Sequence, residues 1–262
     1  VPAKRFTSVW SREGAQRAAP AREQPALSRD QIVRAAIDLL DAEGLDALSM
    51  RKLGARLGAG ATSLYWHVAH KDELLELVLD EVYSEVLVPG PEAAAGWQDT
   101  VAAFAYGLRE AILRHPWSVA LVGVMPSIGP NALTAAGRLT QAMENAGFTG
   151  LTLDYAVSAV LAYTLGATTP EAGWVTTVGR SSGDAEEWMT NMRDQLKVAA
   201  ADHPEMLARF DGYLCLDLDR TRHLAFDYGL SALLDGLRHR LHQPDAPAGQ
   251  AARPGPRTPD AA

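Results

Sequence analysis

Between Arg51 and Lys71 the sequence gathers side chains suited to holding a polyanion and reading base edges. Thr62, Ser63, Tyr65, Trp66 and His67 fall close together, with Arg51 before them and Lys71 after. Hydroxyl and phenol O–H groups donate to phosphate oxygens. Thr can also meet a base edge or a thymine methyl, and Arg a guanine. Lys71 is better placed to reach a phosphate. Three large, partly polar rings in consecutive positions cannot all be buried on one short helix. The expected arrangement turns Trp66 inward and leaves Tyr65 and His67 as a contact surface. A rival constellation is Gly179-Arg180-Ser181-Ser182-Gly183, which matches the G-x-S-x-G elbow of hydrolases, with His203 and His223 downstream. That elbow works only at the edge of a parallel sheet, and the chain offers no set of strands. A loop with Asp184 capping the next helix accounts for the same residues, so no enzyme activity and no catalytic residue is expected. His239 and His242 could share a metal, but beside Arg238 and Arg240 they read as solvated helix-end histidines. No metal or cofactor is therefore expected. The one cysteine, Cys215, excludes an internal disulfide and a Cys-rich zinc site.

The elements that must carry the first constellation are short helices. Ser28 and Gln31 form an S-x-x-Q capping box. Ile32, Ala36, Leu39 and Leu40 follow on one face, and Gly44 suits the stop. Ser49 can cap a second helix that turns Leu53 and Leu57 inward and ends at Gly58. A third runs from about Thr62 to Val68, and a fourth begins near Lys71. Later helices are expected at about 97–115, 117–125, 130–147, 151–168, 184–201 and 219–241, with prolines between them. Segment 169–183 reads as the longest loop inside the fold. The fold class is all-α: an N-terminal helix-turn-helix domain (28–75), then a helical effector-binding and dimerisation domain (76–242). Residues 1–27 read as a disordered basic arm and 243–262 as a disordered Pro/Ala tail.

With 47% hydrophobic and 21% charged residues, the 262-residue chain should fold. It shows no apolar run of membrane-spanning length and no signal-like start, so no membrane partner and a cytoplasmic location are expected. The net charge is −8, but it is sorted. Residues 1–27 carry +3, residues 28–72 are neutral, and the rest carries −11. Arg51, Lys52, Arg56 and Lys71 follow one another with no acid between them. Charge alone fits a phosphate-binding face or an ordinary solvated helix face equally well.

Residues 27–82 as a whole resemble the DNA-binding domain of TetR-type repressors, most closely the tetracycline-repressor subgroup. AAIDLLDAEGLDALSMRKLGARLG, SLYWHV and then K-x-x-L-L carry the likeness. It continues weakly to FDYGLSALLDGL (226–237). The resemblance implies double-stranded operator DNA as partner, with Arg51, Thr62 and Ser63 reading bases and Tyr65 and Lys71 holding phosphates. That subgroup has Gln-Pro where this chain has Ala61-Thr62, and the Gln reads a base. Ala61 cannot hydrogen-bond, so a different operator is implied.

The same likeness implies a small-molecule effector in the segment 100–163. Candidate lining residues are Phe104, Leu108, Trp117, Leu121, Met125, Met143, Tyr155 and Trp188, all equally compatible with plain core. The subgroup's magnesium-binding His falls at Val122 here, and no His lies between 116 and 202. The expected effector is therefore not tetracycline–magnesium. A homodimer is expected through the helices near 151–168 and 219–241, because one short recognition helix spans few base pairs. The open alternative is a helix-turn-helix regulator without a small-molecule effector.

Overall fold

Ser28 accepts the backbone N–H of Gln31 and the Gln31 side chain accepts the N–H of Ser28, which starts α1 (Arg29–Glu43). The computed structural model describes residues 8–10, 27–90, 93, 96–180, 185–214 and 217–242. After α1, Gly44 turns with φ 79°, and a 3-10 turn (Leu45–Ala47) leads to α2 (Met50–Arg56). Helices α3 (Ala61–Tyr65) and α4 (Lys71–Ser84) follow. Ile32, Ala36, Leu39, Leu53, Leu64, Val68 and Leu74 are buried among these four helices, in a core continuous with that of the helices that follow.

Helix α4 is buried on nearly every side from Glu73 to Tyr83. A helix buried all round is shared between two packing units, and α4 is the strut between the N-terminal unit and the larger second one. In the second unit α5 (Trp97–Arg114) packs on α6 (Pro130–Ala146) and α7 (Gly150–Arg180). A 3-10 turn (Pro116–Ala120) lies against α7 and α5. Helices α8 (Ala185–Ala199), α9 (Pro204–Leu214) and α10 (Leu218–Leu241) complete the order. No strand occurs among the described residues.

Three expectations need correction. Of the expected loop 169–183, residues 169–180 are helical: α7 continues through Pro170 to Arg180. Packing outweighs the donor lost at Pro170, because the extra turns bury Ala172 and bring Glu171 to Arg109. Between the helices expected at 184–201 and 219–241 stands one that was not expected, α9, with Pro204 as its first residue, where a missing N–H costs nothing. Finally, part of the expected arm is docked. Ser8 and Val9 are buried against α4, where the Ser8 hydroxyl and the Val9 N–H both donate to Glu76. The rest of residues 1–26, the tail 243–262, Cys215 and Ser181 to Gly183 of the G-x-S-x-G lie outside the described residues.

Helix α7 is also more apolar than the sequence reading allowed. Over Gly150–Thr176 its best 18-residue window has mean hydropathy 1.2, long and apolar enough by composition to cross a membrane, yet only 22% of that window is buried.

Candidate DNA-binding surface and ligand domain

The turn before α3 is built from two glycines. Gly58 sits at φ +62°, where a side chain is strained. The Ala59 N–H donates to the Gly54 carbonyl at 2.9 Å, which draws the chain tight against α2. Ser49 caps α2 by accepting the Lys52 N–H at 3.2 Å. Helix α3 then seats Leu64 and, just past its end, Val68 in the core. Thr62 and Ser63 are exposed, as are Tyr65 (50%) and Trp66 (86%). Trp66 therefore faces outward, not inward as its size suggested: Leu64 and Val68, four apart, already occupy the inner face. His67 is half-buried rather than exposed, and its carbonyl accepts Arg29 Nη2 at 3.4 Å.

Arg51 stands exposed at the start of α2, and Lys71 half-buried at the start of α4. The neighbouring cations are engaged with α1: Lys52 pairs with Glu43, and Arg56 lies 3.8 Å from Asp38. Arg51 and Lys71 have no ion pair among the described residues. The fourth helix has a cap that sequence reasoning missed. His70 Nδ1 accepts the Glu73 N–H at 3.1 Å, and the Glu73 carboxylate accepts the Ala69 N–H at 2.7 Å. The imidazole thus takes the place of the usual capping hydroxyl, while Glu73 reaches one residue past the N-cap, to Ala69 rather than to His70 itself.

Asp80 joins the strut to the second unit. Its carboxylate accepts the N–H of Ala132 at 2.9 Å, and from Asn131 both the N–H at 3.3 Å and Nδ2 at 3.1 Å. It thus caps α6 from α4. Burial pushes the Asp80 carboxyl above 3.8, and those donors only partly offset it.

The expected ligand-lining residues divide. Phe104, Leu108, Leu121 and Met143 are buried in one continuous core, and Met125 packs on it half-buried. Trp117 is buried, and its indole N–H donates to Asp41 of α1 at 2.7 Å. Tyr155 is 66% exposed. Trp188 packs edge-on against Trp174, with ring centroids 4.7 Å apart. A cleft of about 500 Å³ lies at the junction of the two units, between the end of α1, the 3-10 turn at Pro116 and Val175 of α7.

A polar-aromatic cluster escaped the sequence reading because its members come from three distant helices. Arg109 Nη2 donates to both oxygens of Glu171, at 2.7 and 3.0 Å, and its guanidinium lies 5.1 Å from the Phe226 ring centre. Tyr106 donates to Asp227 at 2.6 Å, and Tyr163 to the Phe226 carbonyl at 2.7 Å. Burial, then the Asp227 carboxylate, pushes the Tyr106 phenol up to about 12. This cluster locks α10 onto α5 and α7.

Comparison with known proteins bears on both units. Residues 32–78 match the model described as bacterial regulatory proteins, tetR family. Residues 89–241 match the tetracyclin repressor-like C-terminal domain. An HTH-type transcriptional regulator of Saccharopolyspora erythraea is 39% identical over 88% of this chain and 91% of its own length. The HTH-type transcriptional repressor DrrR1 of Streptomyces coeruleorubidus is 33% identical, over 82% of this chain and 78% of its own. Among solved structures, the TetR family protein ActR of Streptomyces coelicolor in complex with actinorhodin is 30% identical. That match has a TM-score of 0.64 and covers 84% of this chain and all of the other.

Proposed function

This chain belongs to the tetR family of bacterial regulatory proteins, and from that premise we propose that it is a homodimeric repressor released from a palindromic operator by a small molecule. The observation that carries the reading is the exposure of Thr62, Ser63, Tyr65 and Trp66 on a helix whose opposite side, Leu64, is sealed. Thr62, Ser63 and Arg51 read base edges, while Tyr65 and Lys71 hold phosphates. His67, half-buried, contributes at the edge of that surface, and Trp66 packs on the backbone. Ala61 offers no hydrogen bond, so the operator differs from that of the tetracycline repressor.

The effector enters the α5–α7 region around Phe104, Leu108, Leu121, Met125 and Met143, an apolar lining suited to an organic molecule. Val122, buried and apolar, supports an effector other than tetracycline–magnesium. ActR, solved with actinorhodin, supports a small organic ligand. Two copies pair through α7 and α10, whose exposed Leu151, Tyr155, Leu224 and Tyr228 leave an apolar face uncovered. Movement of α6 is passed to α4 through Asp80 and alters the spacing of the two recognition helices.

The test is selection of bound duplexes from a random pool, repeated with candidate organic ligands. The expected product is an inverted repeat with half-sites about one turn, roughly 34–36 Å, apart, released by one ligand class. Failure to bind duplex DNA at low salt overturns the proposal.

A further inference from the structure

One imidazole stands where three elements meet. His115, which follows α5, is 6% exposed. Its Nδ1 lies 2.8 Å from Asp41 Oδ1 at the end of α1, and its Nε2 lies 3.1 Å from Glu85 Oε1 at the end of α4. Asp41 Oδ1 also accepts the Trp117 indole N–H at 2.7 Å, and Arg114 pairs with the other oxygen of Glu85. The Trp117 ring centre lies 6.0 Å from that of His115. Among the described side chains of α7, the uncharged Val175 and Thr176 line this junction, while α1 and its following turn add Glu43 and Asp46 to the rim.

Both ring nitrogens face carboxylate oxygens. A neutral imidazole carries one N–H and one lone pair, so it can satisfy only one of the two acceptors. The other nitrogen would then point a lone pair at a carboxylate. Only the imidazolium donates on both sides, and each bond is then charge-assisted. We propose that His115 is a positioning residue that fixes the DNA-binding unit against the ligand unit, and that it does so as the imidazolium. Loss of its proton breaks one of the two bonds, leaving Asp41 held by Trp117 alone or Glu85 by Arg114 alone, and loosens the end of α1 or of α4. The two recognition helices then lose their fixed spacing and operator affinity falls.

This inference rests on the chain being a DNA-binding regulator, so one arm of the test does without DNA. In the free protein, the two-bond proton–nitrogen spectrum of the imidazoles reports whether one or both nitrogens of His115 carry protons. The expected result at neutral pH is the doubly protonated pattern, lost in Asp41→Asn and in Glu85→Gln. A single-tautomer neutral pattern overturns the inference whatever the protein does with DNA. The second arm titrates affinity for a duplex taken from the random-pool selection, from about pH 6 to about pH 8.5. The parent should weaken by about tenfold more than His115→Gln over that range, with the histidines nearer DNA, His67 and His70, common to both. Equal pH profiles in parent and His115→Gln overturn it. If that variant does not fold, the spectrum of the unaltered protein still decides.

Discussion

A β-carbon placed on Gly54 would stand 2.8 Å from the carbonyl oxygen of Ala59 and 3.2 Å from the N–H nitrogen of Ala61. Both neighbours are backbone, so neither can swing away. Gly54→Ala should therefore force α2 and α3 apart and cost about 1–3 kcal/mol. Operator affinity should fall with it, since the recognition helix shifts. Gly60→Ala is the control: Gly60 has φ −67° and open space around it. Thermal melting and operator titration of the two variants check this; equal behaviour would show that the tight turn is not what places α3.

Lys71→Ala should weaken binding to every duplex alike and reduce the slope of log affinity against log salt by about 0.9. Thr62→Ala or Ser63→Ala should instead change which base pairs are selected, leaving the salt slope nearly unchanged. Random-pool selections at two salt concentrations separate the roles. A shift in preferred sequence for the Lys71 variant would reassign it from phosphate to base.

The helix-turn-helix was legible because its signals are local. Ser28 with Gln31, Ser49, and Gly58 each announce a cap or turn within a few residues, and the structure places them so. Trp66 was misread because a helix of five residues gives almost no periodicity from which to infer a face. The cap at His70 was missed because imidazole is a rare capping group. Helix α7 was cut short at Pro170 because a proline usually ends a helix, and the contact that holds it there, Glu171 to Arg109, spans 62 positions. The junction of Asp41 with His115 and Trp117, 74 and 76 positions apart, leaves no trace in local spacing at all.

The dimer reading is tested at α10. Leu224 (55%) and Tyr228 (81%) stand exposed one turn apart, and Leu151 and Tyr155 on α7 are each 66% exposed. A soluble chain rarely leaves so much apolar surface along two neighbouring helices uncovered. The double variant Leu224→Asp with Tyr228→Asp should sediment as a monomer with unchanged helix content. It should lose at least about tenfold in operator affinity, because each half-site is then held alone. A variant that remains dimeric would move the interface elsewhere.

Asp80 gives a prediction in pH. Burial raises its carboxyl above 3.8 in the folded chain, so the folded state keeps a proton that the unfolded state has released. Stability contributed at this site is then full below about pH 3.8 and declines as pH rises through the folded value. Asp80→Asn removes that proton linkage. It keeps an oxygen for the Ala132 N–H but turns an NH2 toward Asn131, losing an acceptor for that residue's donors. The variant should be less stable than the parent by about 1–2 kcal/mol near pH 4, and the gap should narrow as pH rises toward neutrality. Denaturant midpoints across that range measure it. A gap that widens with pH would mean that the ionised Asp80 is the better cap for α6, and that hydrogen bonds from Asn131 and Ala132 outweigh its burial.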